Sequence, residues 1–65
     1  MKGIQEARKK AKIRQAELAA EMGVAQGTIS MWETGAAAPQ ADKLPKLARI
    51  LGCTIDDLFR EEEKG

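Results

Sequence analysis

The sequence predicts an all-α fold, a single compact domain built from five short helices. Three observations carry that expectation. Strong helix formers (Ala, Leu, Lys, Glu, Arg) dominate the 65 residues, and the β-branched residues are scattered. Helix breakers at Gly23, at Gly35 to Pro39 and at Gly52 cut the chain into four blocks, the first of which must bend again near Ile13. Within the blocks, apolar residues return at three- and four-residue intervals, the repeat of one helix face, with no strand-like alternation.

The first helix is expected over about Lys2 to Lys12, with Ile4, Ala7 and Ala11 on one face and Arg8 beside it. The second, from Gln15 to Met22, buries Leu18, Ala19 and Met22, and Gly23 supplies the left-handed residue that commonly ends a helix. The third runs from Gln26 to Thr34 with Ile29 and Trp32 inward; Gly35 ends it and Ala36 to Pro39 form a loop. Proline is tolerated only in a first helical turn, so Pro45 places a fourth helix at about Lys43 to Leu51, with Asp42 as its N-cap. Its apolar stripe is Leu44, Leu47, Ala48 and Leu51. Thr54 caps the last helix, with Asp57 completing an approximate capping box and Ile55, Leu58 and Phe59 as its apolar side chains. Glu61 to Glu63 put three acids at a helix C-terminus, where the macrodipole disfavours them. The domain is therefore expected over residues 1–60, with an acidic, fraying tail over 61–65.

Composition excludes several function classes. Cys53 has no partner for a disulfide, and with no histidine neither a Ser-His-Asp nor a Cys-His catalytic arrangement can form. The usual zinc site of about four Cys or His ligands cannot be assembled either. No apolar run approaches the ~20 residues that span a bilayer, and the amino terminus lacks a charged-then-apolar signal pattern. A cytoplasmic binding module is expected, with no catalysis, cofactor, metal or membrane contact. The net charge of +1 hides an asymmetry: residues 1–14 carry +5 and residues 15–65 carry −4. A basic first segment fits contact with a polyanion at one end of the domain.

Residues 15–34 meet three demands that a steep crossing of two short helices imposes together. Ala19 is small where the backbones must approach, Gly23 permits the turn, and Leu18, Met22, Val24, Ile29 and Trp32 tie both helices to one core. This is the helix-turn-helix plan, whose second helix enters the DNA major groove. The stretch Ile13-Arg14-Gln15-Ala16-Glu17-Leu18-Ala19, the turn Met22-Gly23-Val24, and Gln26, Thr28-Ile29-Ser30 and Trp32-Glu33-Thr34-Gly35 resemble the Cro/phage-repressor (XRE-type) helix-turn-helix family. So does Leu47 to Thr54 with Asp57-Leu58-Phe59, so that the likeness covers about residues 4–59.

The resemblance implies a repressor-like, five-helix domain that binds double-stranded DNA as a two-fold dimer to regulate transcription. It implies a phosphate contact from Gln15, and base-edge or nearby phosphate contacts from Gln26, Gly27, Thr28, Ser30 and Met31. It also implies an ion pair between Arg8 and Glu33. The chemistry agrees, because Gln can bind adenine through N6 and N7 together, Ser and Thr suit base or phosphate, and Met suits a thymine methyl. Arg14, Lys10 and Lys12 are the further phosphate candidates.

Certain positions depart from the family's pattern. Ala25 stands where Ser or Thr often caps the recognition helix, and Gly27 offers no side chain to a base. The Ala36-Ala37-Ala38 loop lacks basic residues, and Asp42 would repel a phosphate. Weak or strongly dimer-dependent binding of modest specificity is therefore expected. The dimer is expected through the C-terminal helices, from Ile50, Ile55, Leu58 and Phe59. The competing reading is a helix-turn-helix fold kept as a protein-interaction module, with DNA binding weakened or lost.

Overall fold

In the computed structural model, which describes residues 1–59, the helices follow in the order α1 (Lys2–Lys10), α2 (Gln15–Met22), α3 (Gln26–Thr34), α4 (Leu44–Leu51) and α5 (Ile55–Leu58). A 3-10 turn at Ala41–Lys43 leads into α4. The expected tail over 61–65 lies outside the described residues. Each helix contributes to one core: Ile4 from α1, Leu18, Ala19 and Met22 from α2, Ile29 and Trp32 from α3, Leu44, Leu47, Ala48 and Leu51 from α4, and Leu58 from α5. The apolar spacing in the sequence therefore marks the inward faces of α2, α3 and α4 correctly.

The bounds of α2 and α3 agree with the sequence reading, because glycines close both helices. At Gly23 (φ 73°) the backbone turns left-handed and the Val24 N–H donates to the Ala19 carbonyl at 3.0 Å, satisfying an end-of-helix carbonyl. Gly52 (φ 69°) ends α4 in the same way, with Cys53 N–H donating to the Ala48 carbonyl at 3.0 Å.

Helix α1 stops at Lys10, short of the expected Lys12. Lys12 itself takes the left-handed conformation (φ 62°), and the Ile13 N–H reaches back to the Arg8 carbonyl at 3.1 Å. Ala11 therefore falls outside the helix and is exposed, not part of its apolar face. The expected N-cap at Asp42 is also corrected. Asp42 lies inside the 3-10 turn, its side chain makes no capping bond, and α4 begins at Leu44 with Pro45 in its first turn. The turn winds straight into α4, and the extended residue that would carry a cap is Gln40.

At the other end of the chain, Thr54 and Asp57 form the expected reciprocal cap. Thr54 Oγ1 accepts from the Asp57 N–H and Asp57 Oδ2 accepts from the Thr54 N–H, both at 3.1 Å. Leu58 is fully buried in the core, so it is removed from the expected partner surface. Ile55 and Phe59 remain exposed, and Ile50 is half-buried against the core. Helix α1 packs on α5 through Gly3, where a Cβ would lie 2.0 Å from the Asp57 carbonyl oxygen. Sequence reasoning did not single out Gly3, since the need for a bare backbone there arises only when residues 54 positions apart meet.

Candidate nucleic-acid interface

Helices α2 and α3 pack closely, with Ala19 buried between neighbouring core side chains and Gly23 at the turn. Ile29 and Trp32 hold the inner face of α3 in the core. Its other face is free: Gln26, Gly27 and Met31 are exposed, and Thr28 and Ser30 are partly so. Met31 stands out there as a large apolar side chain, 44% exposed on an otherwise polar surface.

A chain of hydrogen bonds runs from the first residue of α3 into the core. Gln26 Nε2 donates to Gln15 Oε1 at 3.4 Å, and Gln15 Nε2 donates to Glu33 Oε1 at 2.9 Å. Arg8 completes it, donating through Nε to Glu33 Oε2 at 2.5 Å and through Nη2 to Glu33 Oε1 at 3.3 Å. Its Nη1 donates to the Ile13 carbonyl at 2.9 Å, which ties the α1–α2 corner to the same group. The Glu33 side chain is 1% exposed and that of Arg8 12%, so the carboxylate has lost nearly all its water and depends on these donors. The Arg8–Glu33 pair implied by the resemblance is thus present, and the geometry adds Gln15 to it. No local signal announces the Gln15 links, because they join residues 18 and 11 positions apart.

The local signals of α3 are poor. Ala25 precedes it in extended conformation with no side-chain acceptor to offer. Gly27 has open space around it, with nothing within 4 Å of where a Cβ would sit, so no packing demand explains the missing side chain.

The basic residues divide between two faces. Lys12 and Arg14 are exposed at the α1–α2 corner beside Gln15. There the Arg14 N–H donates to Glu17 Oε1 at 2.8 Å, half of a capping box for α2. Lys10 instead lines a cleft of about 220 Å³ between α1 and the α4–α5 turn, together with Glu6, Cys53 and Asp57. Cys53 is half-buried, not fully buried as a core thiol would be. Desolvation, and then the Asp57 carboxylate, push its thiol above the ordinary 9.0, so it stays protonated and a poor nucleophile at neutral pH. Among the described residues no cluster of Cys, Asp or Glu could hold a metal ion, and no helix is long and apolar enough to cross a membrane.

A family model described as helix-turn-helix matches residues 4–58. The chain is also 40% identical over 57 residues to a protein named Repressor protein C2 from Salmonella phage P22. That match covers 88% of this chain and 26% of the relative, so the chain spans about a quarter of that protein's length.

Proposed function

We propose that this chain, which belongs to the helix-turn-helix family of the Cro and phage-repressor type, binds double-stranded DNA sequence-specifically as a transcriptional regulator, with α3 in the major groove. The observation that carries this reading is the bonded row Gln26–Gln15–Glu33–Arg8, which orients an exposed amide at the start of α3. One Nε2 proton of Gln26 is used on Gln15. The other proton and Oε1 are left to donate to adenine N7 and accept from adenine N6, the bidentate pairing that distinguishes this base. Thr28 and Ser30 then reach a base edge or phosphate, Met31 reaches a thymine methyl, and Gly27 lets the helix backbone come close. The second Nε2 proton of Gln15 is available to a phosphate at the start of α2, flanked by Lys12 and Arg14.

One recognition helix reads few base pairs, so the functional unit is a two-fold dimer with half-sites about one helical turn (~34 Å) apart. Exposed Ile55 and Phe59, beside half-buried Ile50, supply its apolar contact. A cytoplasmic, DNA-associated location follows from this reading. Selection from a pool of random duplexes, followed by binding of Gln26→Ala and sedimentation with and without the selected site, tests it. The parent is expected to enrich a palindromic site, and Gln26→Ala to lose about 1–3 kcal/mol on it. Enrichment of no sequence would favour the protein-interaction reading, which the uncharged Ala36–Ala38 loop and the acidic Asp42 support.

A further inference from the structure

Four residues among those described have a left-handed backbone: Gly23, Gly35, Gly52 and Lys12. Three helix ends thus use glycine, the residue without a Cβ to clash there, and α1 alone uses a lysine. Lys12 is exposed, so packing does not account for its presence. It stands two residues before Arg14 and three before Gln15, on the corner that Arg8 pins through the Ile13 carbonyl. On the far side of α3 the chain from Thr34 to Ala41 carries no charged residue, and the first one met is Asp42. Cations therefore flank the exposed face of α3 on one side only.

We propose that Lys12, with Arg14, forms a one-sided phosphate clamp at the α1–α2 corner, so that the DNA backbone is gripped before α2 and left ungripped along the loop after α3. This rests on the DNA-binding reading above and assigns where its electrostatic part resides. A glycine at position 12 would give a more comfortable helix end, and the lysine is kept there at a cost in stability because its ammonium neutralises a phosphate. Lys10, turned toward the cleft with Cys53 and Asp57, takes no part.

Sequence-independent binding is almost wholly electrostatic, so the test needs no operator. A labelled mixed-sequence duplex is titrated over a range of salt with the parent, Lys12→Gly, Arg14→Gln, Lys10→Gln and the exposed α4 variant Lys46→Gln. Thermal midpoints are recorded beside the binding. Lys12→Gly is expected to raise the midpoint, weaken binding, and reduce the slope of log affinity against log salt by about one. Arg14→Gln should reduce the slope similarly, while Lys10→Gln and Lys46→Gln leave it unchanged. A merely structural lysine would move stability and binding in the same direction. The clamp is overturned if Lys12→Gly binds with the parent's slope, or if Lys10→Gln or Lys46→Gln loses as much. A parent that binds no duplex even at low salt overturns the DNA-binding reading itself, and the clamp with it.

Discussion

Helices α3 and α5 each follow a glycine-closed helix through the same turn, and they are secured by opposite means. Before α5, Thr54 and Asp57 satisfy each other's backbone N–H groups, and a single residue of the helix, Leu58, is buried. Before α3 stands Ala25, which caps nothing, and Gly27 weakens the first turn, yet Ile29, Trp32 and Glu33 are all buried. The short helix relies on its own sequence; the longer one is held in place by the rest of the protein. A helix whose outer face must meet a ligand gains from this arrangement. Its position is set from behind, by the core and by a buried carboxylate, while its exposed residues are released from any structural duty.

The largest effect that would break this comparison comes from removing the support behind α3. Glu33→Ala leaves Arg8 buried without its carboxylate and should cost about 3–5 kcal/mol, against little for the exposed Glu21→Ala. Chemical denaturation of the two variants measures the gap, and equal small losses would mean that α3 is not secured by the ion pair.

On the α5 side the corresponding support is the close approach at Gly3. Gly3→Ala drives a methyl group into the Asp57 and Leu58 carbonyls, and about 1–3 kcal/mol should be lost as α1 and α5 separate. Faster amide exchange at Leu58, with little change at Ile29, would locate the loss in this pair of helices.

The caps sharpen the contrast with opposite signs. Thr54→Ala should destabilise by about 1 kcal/mol, because α5 has a cap to lose. Ala25→Ser should stabilise by a similar amount, about 1 kcal/mol, because the extended backbone at Ala25 suits a capping hydroxyl that α3 lacks. Thermal midpoints moving in the same direction would remove the distinction between the two helices.

The smallest effect belongs to Cys53, at the turn before α5. Its folded thiol titrates above 9.0, raised by burial and by Asp57, so above that pH the unfolded chain loses a proton that the folded chain keeps. Its contribution to stability is whole below about pH 9 and declines as pH rises beyond it. The stability of Cys53→Ser should therefore fall less steeply than the parent's over that alkaline range.

Much of this architecture was legible in the sequence because its signals are local. Gly23, Gly35 and Gly52 mark helix ends through their backbone freedom. The spacing of Leu18, Met22, Ile29 and Trp32 marks inward faces, and Thr54 with Asp57 marks a cap three residues long. The bounds of α2 and α3 follow from such signals alone. Features made by two distant segments were decided only by the tertiary structure. Leu58 and Phe59 are adjacent and both apolar, but the packing of α5 on α1 buries the first and leaves the second 55% exposed. Gly3 and Gly27 look alike in the sequence; one lies against the carbonyls of α5 and the other in open space. Likewise Gln15 gains its place beside Glu33 and Gln26 only once α2 and α3 have crossed, because a side-chain bond between them needs a separation that no run of neighbouring residues encodes.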